Sequence, residues 1–295
     1  MMITRNDLKI LTNYGRVNLL HFPAAKPTMN TKVLCIHGYC CDARIFSYIG
    51  FEMSKRGYDI YAIDLFGHGK SDGRRGDPDF DKTIKAMKEI IDKIRGQSTF
   101  FLLGHSLGCT YALWYARKFT ENIDGIVLMS PYIRIKGLNC GGGEAIPSPS
   151  TFLKLLLFRL FIPSRRISAT KVVQHSIVSK SETQQMINDP EINYYYSYKY
   201  IIDVIGFRNM NAGKLADINI PVHLLHGKQD KNVFPQVSEE FFKRLKSRNK
   251  CLTLFDCDHW FYHSIFYNQE DDRYNECERQ QVIGKITEWF KSLRN

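Results

Sequence analysis

The chain of 295 residues lacks any apolar run long enough to cross a bilayer, and residues 1–7 lack the apolar core of a secretory signal peptide. From these two absences we expect a cytoplasmic protein. Internal repeats and long low-complexity tracts are missing as well. Their absence argues against a solenoid or a largely disordered chain and favours a single globular enzyme-sized core.

Paired cysteine spacings are also missing, although the chain contains eight cysteines. None of them follows a zinc-ligand pattern or a disulfide framework, and Cys40-Cys41 is merely a vicinal pair. We therefore expect reduced thiols in an intracellular protein and no structural metal. The serine chemistry predicted below requires no organic cofactor either. Pairing among Cys140, Cys251, Cys257 and Cys277 remains an alternative that the spacing does not exclude.

Acidic residues are too few to balance the basic ones. The chain contains 41 Lys and Arg but only 30 Asp and Glu, which gives a net charge of +11. Nucleic-acid binding is one explanation for such an excess. The sequence contains no recognisable nucleic-acid-binding module, so we expect no nucleic-acid partner. Much of the excess lies between Arg134 and Lys180, where eight basic residues face the single acid Glu144.

What the sequence does contain is an alternation of short apolar runs and helical stretches, which predicts a mostly parallel sheet with helices on both faces. The alternation stops over residues 132–211 and then resumes. We therefore predict a core built from 1–131 and 212–295, interrupted by an inserted helical cap at 132–211. The predicted strands are 17–22, 32–36, 58–64, 99–104, 124–129, 221–227 and 251–255, and the predicted core helices lie near 46–56, 80–95, 106–119 and 276–293.

A serine lies at the centre of Gly104-His105-Ser106-Leu107-Gly108, directly after one predicted strand and directly before a helix. The pattern G-x-S-x-G between a strand and a helix is typical of a nucleophile elbow. Its glycines allow strand and helix to approach closely, so that the serine hydroxyl projects from the carboxyl edge of the sheet. Ser106 is therefore the predicted nucleophile.

A serine nucleophile needs a base and a carboxylate to orient that base, and the order in this architecture is Ser, acid, His. Asp230 follows the predicted strand 221–227, and His259 follows the last predicted strand. Asp256 and Asp258 compete for the acid role, but they follow the wrong strand. His263 competes with His259, but we expect it to pack. The predicted triad is Ser106, Asp230 and His259.

Two backbone amides are predicted to complete the site as an oxyanion hole. Gly38 ends the predicted strand 32–36, and a glycine there lets the amide of Tyr39 turn towards the nucleophile. The second donor is the amide of Leu107, the residue after the nucleophile. Such donors stabilise the tetrahedral intermediate of acyl transfer.

These motifs together resemble an α/β-hydrolase of the monoacylglycerol lipase and lysophospholipase type, nearly end to end. The resemblance implies an α/β-hydrolase fold and a serine hydrolase that cleaves monoacylglycerols or other medium-to-long acyl esters. Cys109 and Tyr39-Cys40-Cys41 depart from the usual family residues, and we expect these departures to narrow the mouth near the nucleophile. The matching segments are His37-Gly38, residues 64–74, the elbow, Met129-Ser130-Pro131, Asn188-Asp189-Pro190, residues 227–230 and Asp258-His259.

The predicted cap contains an apolar run at 152–162, interrupted by Lys154 and Arg159. In one interpretation this run is a helix whose apolar face, including Leu156 and Phe158, lines an acyl pocket. In the other, the helix also inserts shallowly into a membrane or lipid surface, which the surrounding basic charge favours. A tyrosine-rich stretch follows at 194–200. Its rings either pack the cap on the core or, as for Tyr195, contact the substrate.

Several other functions use the same fold. A small-ester carboxylesterase, a thioesterase or an acyltransferase differs only in acyl length, leaving group or acceptor. An aminopeptidase needs acidic groups for the substrate ammonium, whereas this cap is basic. A non-catalytic ligand-binding relative commonly lacks a triad member, whereas all three candidates are present here. The sequence does not indicate an oligomeric state.

Overall fold

The computed structural model describes residues 5–26, 29–141, 149–170, 180–209, 212–261 and 276–293. An eight-stranded sheet forms the centre of the described chain, in the order β1-β2-β4-β3-β5-β6-β9-β10. Its strands are β1 (Asn6–Thr12), β2 (Gly15–Phe22), β3 (Thr31–Ile36), β4 (Asp59–Ile63), β5 (Thr99–His105), β6 (Gly125–Met129), β9 (Val222–Gly227) and β10 (Lys250–Phe255).

The six strands from β4 to β10 in this order run parallel, while β2 is antiparallel to both β1 and β4. The central strands are buried on both faces, as near-continuous apolar sequence predicts for a parallel sheet. Register aligns their carboxyl ends, since Gly104 of β5 pairs with Leu128 of β6 and Leu128 pairs with Leu224 of β9. The loops after β5, β6 and β9 consequently share one edge of the sheet.

Helices flank the sheet, and one of them shows how particular residues determine where a helix begins and ends. The helix α2 (Phe80–Arg95) begins after Asp79, whose side chain accepts a hydrogen bond from the amide of Lys82, and it is followed by Gly96. Its apolar residues recur at helical spacing and are buried, which places lysines on the opposite face. The core helices are α1 (Ser47–Lys55), α2 (Phe80–Arg95), α3 (Leu107–Lys118), α8 (Pro235–Arg244) and α9 (Glu276–Ser292).

The elements between β6 and β9 form the region predicted as the cap. A second, two-stranded antiparallel sheet lies here, made of β7 (Arg166–Ser168) and β8 (Tyr195–Ser197). The helices of this region are α4 (Pro149–Phe161), α5 (Lys180–Asn188), α6 (Tyr198–Asn209) and α7 (Ala212–Leu215).

The mostly parallel sheet flanked by helices confirms the predicted fold class. Three strands were not predicted. In β1, exposed and half-buried residues alternate on an antiparallel edge strand, so its apolar signal is weak. The strands β7 and β8 have three residues each, too few for a periodic pattern. Across the described ranges, no helix is long and apolar enough to cross a membrane.

Candidate active site

Ser106 occupies a sharp turn between β5 and α3, with a φ of 53° that non-glycine residues rarely adopt. The flanking glycines make this turn possible. A Cβ on Gly104 would lie 2.7 Å from the Cα of Cys109, and one on Gly108 would lie 2.0 Å from the carbonyl oxygen of Ile36. Strand, turn and helix therefore approach each other more closely than any side chain would permit, and the strained turn presents the serine at the sheet edge.

Asp230 and His259 meet at the same edge. Asp230 follows β9, His259 follows β10, and the Nδ1 of His259 lies 2.7 Å from Oδ2 of Asp230. Both residues are buried. An ionised carboxylate accepts hydrogen bonds only, so Nδ1 carries the proton and Nε2 is left with a lone pair. That tautomer is the one a general base requires.

The Asp230 carboxylate is held by further donors. Its Oδ1 accepts from the amides of Asn232 and Val233, at 2.8 and 2.9 Å. Its Oδ2 also accepts from the Ser130 hydroxyl at 2.7 Å and lies 3.2 Å from Nε2 of His226. Burial alone would raise the pKa of Asp230, but His259 and His226 lower it well below the usual range. The group is therefore ionised at neutral pH.

His105, the variable residue of the elbow, helps to place the histidine. Its Nε2 donates to the backbone carbonyl of His259 at 2.9 Å, and the two rings are 4.9 Å apart. Burial lowers the pKa of His105 to about 3, so this ring is neutral. The residue beside Ser106 is thus directly tied to His259.

The predicted oxyanion donors flank the nucleophile. The backbone at Gly38 passes so close that a Cβ there would lie 2.9 Å from the Cβ of Ser106. Tyr39 follows Gly38 directly, in the loop after β3. Leu107 is the first residue of α3, where backbone amides have no partner within the helix and the helix dipole favours negative charge. This geometry suits stabilisation of an oxyanion beside Ser106.

One expectation about the mouth of the site was wrong. Cys109 does not narrow it, because its side chain is fully buried beneath the elbow. Its Sγ lies 3.1 Å from the carbonyl oxygen of Gly104 and 3.3 Å from that of Met129. The first turn of α3 points this residue inwards, which the motif alone does not indicate.

The residues predicted to contact substrate are exposed, in the region between β6 and β9 that was predicted as the cap. Leu156, Phe158 and Tyr195 are 45, 39 and 56% exposed, and the Phe158 ring packs 4.9 Å from that of Tyr198. Their role in substrate binding stays a prediction. Among the other tyrosines of this stretch, Tyr194, Tyr196 and Tyr200 are buried, in agreement with the packing interpretation.

Sequence reasoning missed Ser130 and His226 as partners of Asp230. The position of Ser130 directly after β6, between the strands that carry Ser106 and Asp230, was the available signal. His226 lies near the end of β9, four residues before Asp230. His263, the competitor of His259, lies outside the described residues. In the part of the chain that is described, no cluster of His, Cys, Asp or Glu has a metal-binding arrangement.

Comparison with known proteins identifies the family. Residues 27–270 match the family described as serine aminopeptidase, S33 (Hydrolase_4). The chain belongs to this family. The S33 match spans β3 to β10 and the whole inserted region, so it includes every candidate site residue. This match, together with the monoacylglycerol lipases among the relatives described below, confirms the predicted family resemblance, and the chain is a hydrolase.

The individual relatives have low sequence identity to this chain. Caffeoylshikimate esterase of Arabidopsis thaliana is 25% identical, over 86% of this chain and 75% of the relative. An abhydrolase domain-containing protein of Dictyostelium discoideum is 24% identical over 91% of this chain, which spans only 27% of that relative. Monoacylglycerol lipase of Mycolicibacterium smegmatis is 21% identical over 88% of each chain.

Among solved structures, a soluble variant of monoglyceride lipase from Saccharomyces cerevisiae is similar with a TM-score of 0.81 and 20% identity. The similarity covers 99% of this chain and 97% of that one. Paleococcus ferrophilus monoacylglycerol lipase gives a TM-score of 0.74 at 23% identity, over 92 and 99% of the two chains. These similarities establish the α/β-hydrolase fold.

Proposed function

We propose that the chain cleaves carboxylic esters through an acyl-enzyme formed on Ser106. His259 takes the hydroxyl proton as Ser106 Oγ attacks the acyl carbonyl, and Asp230 stabilises the resulting imidazolium. The amides of Tyr39 and Leu107 donate to the oxyanion. His259 then gives its proton to the leaving alcohol. Water activated by the same imidazole finally releases the acid and restores Ser106.

The observation that carries this proposal is the 2.7 Å hydrogen bond between His259 and the ionised Asp230 beside the elbow. It fixes the ring tautomer whose free nitrogen can act as a base. A serine at a turn does not by itself identify a nucleophile, because a serine needs a base. The buried carboxylate–histidine pair that follows β9 and β10, at the same sheet edge as the strained serine after β5, supports this role for Ser106.

We propose fatty-acyl esters, monoacylglycerols among them, as the substrate class. Relatives named monoacylglycerol lipase support this choice. Part of the support comes from α4, where the large apolar side chains recur at positions i, i+3, i+4, i+7 and i+8 and remain exposed. A stripe of this kind is suited to contact with acyl chains. Its members are Leu153, Leu156, Leu157, Leu160 and Phe161.

We propose that the same stripe touches a lipid surface while the enzyme takes up its substrate. Lys154, Arg165 and Arg166 are exposed around it. An exposed apolar helix face bordered by basic side chains is typical of shallow binding to anionic lipid surfaces. Contact at the interface would bring the site close to substrates that partition into lipid.

The carboxylates near residues 37–41 do not favour an aminopeptidase. A peptidase of this kind needs an available acid for the substrate's α-ammonium group. Asp42 and Asp189 are already paired with Arg44, at 2.6 and 2.9 Å. A substrate ammonium would therefore compete with an existing, largely buried ion pair.

Hydrolysis of p-nitrophenyl esters from acetyl to palmitoyl, beside monooleoylglycerol and leucine p-nitroanilide, tests the proposal. We expect a preference for the longer esters and the glyceride, and complete loss in Ser106→Ala. Ser98→Ala is the matched control, because Ser98 is buried and bonds to Asn30 at the opposite end of β5. Cleavage of the anilide alone, or equal activity in Ser106→Ala, would refute the esterase assignment.

A further inference from the structure

A cap residue, Tyr196, directly contacts the loop that carries a proposed oxyanion donor. We call residues 37–41 the oxyanion loop. Tyr196 lies in the middle of β8 and is fully buried. Its hydroxyl oxygen accepts a hydrogen bond from the amide of Cys40 at 3.0 Å. Its ring stacks on Tyr39, with centroids 4.0 Å apart and planes inclined by 19°.

The Tyr196 hydroxyl has only one consistent arrangement of protons. Nδ1 of His68 lies 3.1 Å from the carbonyl oxygen of Phe66, which can only accept, so Nδ1 carries the proton. Burial, reinforced by the neighbouring His37, lowers the pKa of His68 to about 3, and the ring is neutral. Nε2 therefore accepts from the Tyr196 hydroxyl at 3.1 Å. The hydroxyl thus accepts from the amide of Cys40 and donates its proton to His68.

The bond to Cys40 acts at a strained point of the oxyanion loop. Cys40 has a φ of 54°, a conformation that L-residues rarely adopt and that persists only when the surroundings hold it. Its amide belongs to the peptide unit directly after Tyr39. Fixing that unit limits the rotation of Tyr39, whose own amide must point towards the Ser106 oxyanion. A tilt of this donor would weaken the stabilisation of the transition state.

Tyr196 itself is seated firmly on the core. The amide of Ser197 donates to the carbonyl of Gly76 at 2.9 Å. A Cβ on Gly76 would lie 1.7 Å from the carbonyl oxygen of Tyr195, so only glycine allows β8 to approach the loop that contains Gly76. On its other side Tyr196 pairs with Ile167 of β7. The position of the hydroxyl is thus set by how the cap strand docks on the core.

We propose that Tyr196 is a positioning residue that holds the oxyanion loop in its donating conformation, so that the seating of the cap sets the strength of the oxyanion hole. The inference rests on the proposed function, because it assigns an effect on the acyl-transfer step at Ser106. Tyr196 need not touch the substrate to act. It works through Cys40 and Tyr39.

The test compares Tyr196→Phe with Tyr200→Phe. The first removes the hydroxyl bonded to Cys40 and keeps the ring on Tyr39. The second removes a hydroxyl that faces the Tyr111 hydroxyl at 3.5 Å. The Tyr200 ring also stacks near Tyr39, at 6.3 Å, so this control keeps the ring contacts and leaves the bond to Cys40 intact. Three quantities are measured in each variant: kcat/KM for p-nitrophenyl butyrate per active site titrated with a fluorophosphonate, Ki for a trifluoromethyl ketone, and amide hydrogen exchange of 37–41.

In Tyr196→Phe we expect kcat/KM to fall roughly 10- to 100-fold and Ki to rise by a similar factor, since both report on the tetrahedral species. Exchange in 37–41 should accelerate. Tyr200→Phe should change none of these by more than about twofold. A merely structural role would lower the active fraction and leave Ki unchanged.

Unchanged exchange in Tyr196→Phe, or accelerated exchange with unchanged kcat/KM and Ki, would overturn the proposal. Equal effects of the two substitutions would overturn it as well. A wild-type protein that cleaves no ester would instead refute the proposed function. Hydrogen exchange would then still decide whether Tyr196 holds the loop, so the two failures are distinguishable.

Discussion

The hydroxyl of Ser130 lies 2.7 Å from Oδ2 of Asp230, the same oxygen that binds His259. Ser130 directly follows β6, the strand between those that carry Ser106 and Asp230. The serine is itself in a left-handed conformation, with a φ of 47°. A strained residue thus completes the donor set of the triad carboxylate, which we interpret as fixing the direction in which Asp230 faces His259.

Ser130→Ala should therefore impair catalysis without unfolding the protein. Loss of one hydrogen bond to a buried carboxylate typically costs about 1.5–3 kcal/mol, so we expect kcat/KM for p-nitrophenyl butyrate to fall roughly 10- to 100-fold. Ser98→Ala, a buried serine remote from the site, should be nearly neutral. Wild-type kinetics in a folded Ser130→Ala variant would mean that the backbone amides alone orient Asp230.

Gly38→Ala should remove activity by displacing the oxyanion loop. The added Cβ would lie 2.9 Å from that of Ser106 and 3.1 Å from the carbonyl oxygen of His105. We expect kcat/KM to fall at least ~100-fold, with a cooperative thermal transition retained. In the control Gly284→Ala, the new Cβ meets nothing within 4 Å in a helix, and stability should rise by up to ~1 kcal/mol. Comparable activity in both variants would contradict the close approach at Gly38.

The apolar stripe of α4 should control binding to vesicles. Leu160→Asp places a charge where the wild-type side chain is 72% exposed, so folding should be spared. We expect sedimentation with phosphatidylserine-containing vesicles to fall at least about fivefold, while hydrolysis of dissolved p-nitrophenyl acetate stays within about twofold. The control is Leu11→Asp, at an equally exposed leucine on β1. Unchanged sedimentation of the Leu160 variant would refute lipid contact through α4.

Buried neutral histidines should make the protein less stable in mild acid. Burial lowers the pKa of His37 to about 4 and that of His68 to about 3, below their ordinary value of 6.5. Below pH 6.5 these histidines become protonated in the unfolded chain, whereas in the folded protein the buried rings stay neutral until the pH approaches their lowered pKa. Each ring therefore removes up to about 1.4 kcal/mol of unfolding free energy per pH unit as pH falls towards its folded pKa.

Asp64 opposes this trend, because burial and the neighbouring Asp42 raise its pKa from 3.8 to about 6. The folded-state carboxyl binds its proton at a higher pH than the same carboxyl in the unfolded chain. Asp64 therefore favours the folded state as pH falls through this range. Burial also lowers the pKa of His105 to about 3, so this ring adds to the effect of His37 and His68, and together the histidines outweigh the one carboxyl. Urea unfolding between about pH 6.5 and pH 4 should show the decline, and His68→Gln should reduce its slope by about one group's contribution. An unchanged slope in this variant would contradict a neutral His68.

Sequence patterns predicted the parts of the molecule that local periodicity determines. The bounds of α2 were predicted correctly because its apolar residues recur at helical spacing between Asp79 and Gly96. Residues that depend on neighbouring strands were not found. Ser130 contacts Asp230 only because β6 and β9 lie side by side, whereas His226 contacts it across the turn that follows β9. The inward direction of Cys109 follows from the phase of α3. The contact between Tyr196 and Cys40 spans 156 residues and has no local signal.

The nucleophilic role of Ser106 is the central claim, and the rate at which a fluorophosphonate labels the folded protein, with the adduct mapped by mass spectrometry, tests it most directly. We predict a single adduct on Ser106 that is absent in Ser106→Ala. Labelling should be at least ~100-fold slower in Asp230→Asn and unchanged in Asp256→Asn, whose carboxylate follows β10 and bonds to Gln229 instead. A folded wild-type protein that gains no adduct on Ser106, or equal rates in the two Asp→Asn variants, would contradict the account.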